Sequence, residues 1–356
     1  MCVLMAAPAF ACTTVIVSAK ASASGRPLMW KQRDTSAEFN YLDFFPATDG
    51  KYSFTGVVNT DDVQKESVWC GSNEVGFSIM NAMSYGLSPR VTSDRPYEGM
   101  IMKKALEICR TVADFEEYIK SLPQPNGLES NFGVIDAEGG AAYFEVHDYG
   151  YVRFNVADAP EGYLIRSNWS VTGREGEGKG YDRYDVAAAK MKAHTGGFTA
   201  EWIIDELGRD PLIARSKTVN SVVFEGVGQG ENEKSTVMWT VMGYTPYAFV
   251  MPVWVAAEGI FPAALGVRGQ RGSRQNEYAN RALRSFGDIE PGTPLTSGQK
   301  RLIDACRIAE SESVGNARLM DRPFREKGID VELVKLVNGL FDKLFDTYIK
   351  ECFPED

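Results

Sequence analysis

Cys12 is the residue in this chain best placed to do chemistry. It follows Ala9-Phe10-Ala11 and opens the run Cys12-Thr13-Thr14-Val15-Ile16-Val17, whose β-branched residues predict a buried strand. Ala-x-Ala is the small-residue pattern at which a leader is cut. Cleavage after Ala11 would give Cys12 a free α-amine beside its thiol. The amine titrates near about 8 and a thiol near about 8.5, so the amine can take the thiol proton and return it to a leaving group. Amide cleavage also needs a cation that favours the thiolate and donors for the oxyanion. Arg33 and Asp34 end a second predicted strand, Leu28–Asp34, that pairs with the first. They could supply the cation and a carboxylate that orients the amine. As a surface ion pair they would contribute only about 0–1 kcal/mol.

The segment before Cys12 has eleven residues and no positive n-region, so it reads as a short export leader or as a propeptide removed by self-cleavage. The first places the protein in the periplasm or outside the cell, the second is compatible with the cytoplasm. A third reading, a lipobox, puts Ala9 where a larger aliphatic is preferred. It would make the chain an exported ligand-binding lipoprotein lipidated at Cys12.

Other catalytic sets are sparse. The only histidines, His147 and His194, stand apart without metal spacing and read as structural. The six cysteines, Cys2, Cys12, Cys70, Cys109, Cys306 and Cys352, contain no C-x-x-C pair, so no metal site and no cofactor is expected. Cys70, Cys109 and Cys306 read as small buried hydrophobes. A net charge of -10 argues against nucleic acid as partner, and no apolar run is long enough to span a membrane. The expected partner is a small molecule, and a homo-oligomer is compatible with the sequence.

The elements that must position Cys12 follow from periodicity. Strands are predicted at 12–19, 28–34, 52–59, 67–70 and 77–82, with 71–76 as a turn. Helices follow at 97–109 and 112–121, the second capped by Thr111. Strands resume at 130–136, 142–146, 151–155 and 162–166. Helices at 184–194 and 199–207 and strands at 218–225, 235–242 and 252–257 complete the pattern. Residues 270–356 are mainly helical. There Leu333, Leu336, Val337, Leu340, Phe341, Leu344, Phe345 and Tyr348 share one face of a helix over 331–353 capped by Asp330. The order predicts an α+β fold, a four-layer αββα sandwich of two antiparallel sheets with a helical C-terminal segment. Residues 12–356 read as one domain.

Cys12-Thr13-Thr14, then Lys31-Gln32-Arg33-Asp34, then Asn73-Glu74-Val75-Gly76-Phe77-Ser78-Ile79-Met80-Asn81, resembles the N-terminal nucleophile (Ntn) cysteine hydrolases. The nearest groups are the isopenicillin N acyltransferase-like and the choloylglycine hydrolase/penicillin V acylase-like enzymes. Asn131–Gly139 and Leu164-Ile165-Arg166-Ser167-Asn168 extend the similarity, which covers roughly residues 12–260. It implies hydrolysis or transfer of an acyl group from a non-peptide or short amide. It implies Cys12 as nucleophile, Asp34 at the nucleophile's amine, and Asn81 and Asn168 near the oxyanion hole. The family's arginine three residues before the aspartate is Lys31 here, with Arg33 beside it, so either cation can hold the site. Arg215 is the candidate for a later arginine. A dipeptidase of the related cysteine Ntn group is the alternative enzyme.

The same residues also have structural readings. Asn73 suits a turn, Asn81 a strand end, and Asn168-Trp169-Ser170 matches a glycosylation sequon. Met80, Met83, Met100 and Met102 could line a pocket or fill the core. Phe39, Tyr41, Phe44, Phe45, Tyr85 and Trp169 could wall an acyl site.

Overall fold

A computed structural model describes residues 11–87, 97–267 and 271–353. Residues 1–10, Cys2 among them, lie outside the described residues. The strands are β1 Ala11–Val17, β2 Leu28–Asp34, β3 Asn40–Phe45, β4 Phe54–Asn59, β5 Cys70–Asn73, β6 Ser78–Met83, β7 Ser130–Ile135, β8 Ala141–His147, β9 Gly150–Asn155, β10 Tyr163–Arg166, β11 Thr218–Glu225, β12 Val237–Met242 and β13 Met251–Trp254. The helices are α1 Tyr97–Ile108, α2 Val112–Lys120, α3 Tyr181–Ala193, α4 Ala200–Trp202, α5 Arg274–Phe286, α6 Ser297–Lys327 and α7 Val331–Cys352.

Two antiparallel sheets result, one ordered β10-β1-β2-β11-β12-β13 and the other β3-β4-β5-β6-β7-β8-β9. They stack face to face. Ile16 and Met29 of the first meet Met80 and Tyr143 of the second. The outer face of the second sheet buries Phe132, Val134 and Phe144 under Leu106 of α1 and Phe115 of α2. The outer face of the first sheet is covered by the later helices, with Phe324 of α6 and Phe341 and Phe345 of α7 in the same cluster. This is the four-layer αββα sandwich expected from the order of the elements. Among the described residues no helix is long and apolar enough to cross a membrane.

Most predicted elements lie within a few residues of the observed ones. The exceptions have physical causes. Asn40–Phe45 carries too little alternation to announce β3, yet pairs with β4 along its whole length. Residues 71–73 form strand rather than turn. Gly71 fits there because its bare Cα lets the Leu106 side chain of α1 approach; a Cβ would lie 2.8 Å from Leu106 Cδ1. The turn proper follows, held by Asn73 Oδ1, which accepts from the Val75 and Phe77 amides at 3.3 and 3.0 Å. On α7, Leu336 and Leu340 do not join the buried face: Leu336 is 72% exposed, because α6 and the first sheet reach only the Val337–Phe341–Phe345 side. Thr111 and Asp330 cap α2 and α7 as expected.

Candidate active site

Strand β2 carries the anomaly that marks the site. All seven of its residues are buried, although four of them, Lys31, Gln32, Arg33 and Asp34, are polar or charged. Buried polar groups must find partners, and strand alternation sends these to two faces. Lys31 and Arg33 point between the sheets. Lys31 Nζ donates to the Trp69 carbonyl and to Asn81 Oδ1, both at 2.7 Å. Arg33 Nη1 donates to Asn40 Oδ1 at 2.6 Å and Asn59 Oδ1 at 2.8 Å, and its guanidinium lies 4.4 Å from the centre of the Trp69 ring. Gln32 and Asp34 point to the helical side. Asp34 Oδ1 accepts from Thr218 Oγ1 at 2.7 Å, and Oδ2 accepts from Arg215 Nη2 at 3.0 Å. A register shift between Thr218 and Asn220 in β11 re-aims the strand beside Asp34.

Cys12 stands opposite Arg33 in the β1–β2 ladder, and Ala11 stands opposite Asp34. Its side chain therefore shares the inner face with Lys31 and Arg33. Cys12, Lys31, Arg33, Trp69, Asn81, Met83 and Glu98 line one cavity, with 310 Å³ between the atoms, of which 20 Å³ can hold the centre of a water-sized body. Cys12 is 6% exposed. Its backbone N–H donates to Asn168 Oδ1 at 2.8 Å, and Asn168 Nδ2 donates to the Met83 carbonyl at 2.7 Å, tying β1 to the end of β6.

Charge in this cavity is perturbed by burial. Desolvation lowers Lys31, against the pull of Cys12. Desolvation lowers Arg33 to about 10, so it stays cationic at neutral pH. Glu98, in the first turn of α1, is raised to about 7 by burial, while its own backbone N–H and Lys31 act the other way. Burial also raises Asp34, against Arg215, Thr218 and Arg183. Cys70 is pushed up to about 11 by burial and behaves as an inert thiol. Among the described residues no group of three or more His, Cys, Asp or Glu is placed to hold a metal.

All seven candidates read from the sequence thus fall at one end of the sandwich, in two groups. Cys12, Lys31, Arg33 and Asn81 line the cavity. Asp34 and Arg215 form a pair on the opposite face of the first sheet, beside the point where Ala11 joins Cys12. Asn168 bonds the Cys12 amide. Arg33 and Asp34 are buried on opposite faces and do not pair with each other.

Three further residues went unread. Arg183 of α3 is buried and donates from Nη1 to the Cys12 carbonyl and to Thr13 Oγ1, and from Nη2 to Asn168 Oδ1 at 2.6 Å. Nothing in Tyr181-Asp182-Arg183-Tyr184 distinguishes it from an ordinary helix arginine. Trp69 and Glu98 line the cavity, but a lone tryptophan reads as core and a glutamate in a first helical turn as a dipole partner. Of the aromatics considered for an acyl wall, Tyr41 is core, Phe45 stacks on Phe54, and Phe39 lines a separate surface cleft. Of the methionines, Met83 reaches the cavity, Met80 and Met102 are core, and Met100 is 43% exposed.

No family model and no curated protein matches the chain. Solved structures do. A Caenorhabditis elegans N-acylethanolamine-hydrolyzing acid amidase ortholog is similar at 16% identity and a TM-score of 0.47, over 60% of this chain and 92% of that one. A mutant of the conjugated bile acid hydrolase from Clostridium perfringens is similar at 12% identity and a TM-score of 0.46, over 68% and 92%. Penicillin V acylase from Agrobacterium tumefaciens is similar at 14% identity and a TM-score of 0.44, over 67% and 85%.

Proposed function

We propose that the chain is a cysteine amidohydrolase of the N-terminal nucleophile type, acting on a small acylated amine after residues 1–11 are removed. The observation that carries this reading is the position of Cys12. It sits at the start of a central strand, lining a cavity, beside two buried cations and with its nitrogen held by Asn168. In the unprocessed chain that nitrogen is a mid-strand amide, and freeing it would give the thiol its base.

The steps follow from the groups at hand. The Cys12 amine takes the thiol proton, with Lys31 and Arg33 beside it in the cavity. Sulfur attacks the acyl carbon, and the carbon–nitrogen bond breaks as the amine returns the proton to the leaving nitrogen. A thioester at Cys12 remains, which water hydrolyses. Asn81 lines the cavity and gives one amide N–H to Ser130 at 3.1 Å, leaving its second for the oxyanion. Arg183 fixes the Cys12 carbonyl and Asn168 together. Asp34, held by Thr218 and Arg215, lies where Ala11 is lost and can orient the new amine. The burial of Cys12 favours this reading over lipid attachment, which would have to draw the residue out of the sheet.

Mass spectrometry of the purified protein should find a chain beginning at Cys12, and Cys12→Ala should abolish cleavage of acyl amides while the fold persists. Full activity in a chain that retains Ala11 would refute the N-terminal mechanism. Processing by a leader peptidase would place the enzyme in the periplasm or outside the cell.

A further inference from the structure

Arg33 has more hydrogen-bonding capacity than the protein uses. Its Nη1 is bound by Asn40 and Asn59, whereas its buried Nη2 has no partner. Among the described residues no carboxylate oxygen lies within 4 Å of Arg33 or of Lys31; Asp61, the acid whose charge Arg33 feels, stands exposed and farther off. A buried guanidinium without a carboxylate is strongly disfavoured unless something else supplies the charge. The Trp69 ring compensates part of it from one face, but a ring face leaves the in-plane N–H groups of Nη2 unmet. The Cys12 thiolate can balance one of the two cations, not both. Glu98, the acid of the cavity, is raised to about 7 by its burial and makes no ion pair with either cation.

Position matters as much as charge. Arg33 is the cross-strand partner of Cys12 on the same face, so the two Cβ atoms lie roughly 5 Å apart. An acyl group bonded to the Cys12 sulfur extends past this guanidinium. The cavity leaves 310 Å³ between its atoms, room for a short acyl chain beside the guanidinium. On the amidohydrolase reading above, on which this inference rests, we infer that the substrate's acyl group is short and ends in a carboxylate that docks on the Nη2 edge of Arg33. The substrate class is then the ω-carboxyacyl amides, of which succinyl and glutaryl amides are the simplest.

The test compares two chromogenic anilides of equal length, glutaryl-p-nitroanilide and valeryl-p-nitroanilide, on the processed enzyme. A charge-assisted hydrogen bond corresponds to roughly 10- to 100-fold, so kcat/KM should favour the glutaryl amide by at least about tenfold. In Arg33→Met the glutaryl-to-valeryl ratio should fall toward one whatever the variant does to turnover of both amides, and Arg33→Lys should retain part of it. An equal or reversed preference in the wild-type enzyme overturns the inference and leaves the amidohydrolase reading intact. If neither anilide turns over, glutarate titrated calorimetrically into the processed enzyme decides. Binding that weakens in Arg33→Met and survives in Arg33→Lys sustains the inference; no binding, or binding that Arg33→Met leaves unchanged, overturns it.

Discussion

Glu98 should make the protein less stable as pH rises from about 4.5 to about 7, and Glu98→Gln should remove that dependence. The carboxyl sits on the first turn of α1, 8% exposed, in the cavity with Cys12 and Lys31. Burial raises it from the usual 4.5 to about 7. The folded chain therefore keeps this proton to a higher pH than the unfolded chain does. Between those values the unfolded state binds fewer protons, so unfolding becomes easier with each rise in pH. Below about pH 4.5 both states are protonated and Glu98 adds no pH dependence. At about 1.4 kcal/mol per pH unit, the folded state loses about 3 kcal/mol across the window, all of it lost once the pH exceeds 7. Glutamine keeps the shape and never ionises. Urea unfolding of both proteins at pH 5, 6, 7 and 8 should give midpoints that diverge with rising pH, the variant being the more stable at pH 8, with unchanged slopes. Parallel profiles would refute the reasoning, because they would mean that Glu98 titrates alike in the folded and unfolded chains.

Two other substitutions probe the frame of the site. Gly180 precedes α3 at φ +74°, and a Cβ there would fall on the Arg183 guanidinium; Gly180→Ala should cost about 1–2 kcal/mol in denaturant unfolding and lower kcat/KM for amide cleavage at least about tenfold, whereas full activity would show that Arg183 does not position Cys12. Arg215 is 41% exposed, but its partner Asp34 is buried; Arg215→Met leaves that carboxyl with Thr218 alone and should cost about 1–3 kcal/mol in unfolding, while Asp34→Asn should lower kcat/KM without preventing folding, and equal activity in Asp34→Asn and the wild type would remove Asp34 from the mechanism.

The sequence announces the fold well where periodicity is clean and poorly where burial replaces alternation. β1 and β11 are legible because runs such as Thr14–Val17 and Thr218–Glu225 are rich in β-branched residues, and α2 and α7 because Thr111 and Asp330 cap them. β3 and the strand at Cys70 are not, since Asn40-Tyr41-Leu42-Asp43 and Cys70-Gly71-Ser72-Asn73 look like loop by residue type. What fixes them is pairing with β4, where Phe45 and Asn73 both stand opposite Phe54, so the ladder and not their own residue types makes them strand. The stripe on α7 is half legible: Val337, Phe341 and Phe345 face the core, while Leu336 and Leu340 meet the same hydrophobic rule but find no element opposite them.

The site divides along the same line. Cys12, Lys31, Arg33 and Asp34 are legible because they are consecutive or paired on neighbouring strands, so strand geometry alone brings them together. Arg183 comes from a helix 171 residues after Cys12, and Glu98 from another helix beyond five intervening strands. Only the closed sandwich brings them to the end of β1. Their burial, rather than their type, gives them a role: Arg183 on the surface would be a solvated cation, and Glu98 on the surface an ordinary carboxylate. A central strand reading Lys-Gln-Arg-Asp is the one place where the sequence itself signals this. Four polar side chains inside a strand with both faces covered require a polar interior on each side. Lys31 and Arg33 find theirs around Cys12, and Asp34 finds its own where Ala11 would be released.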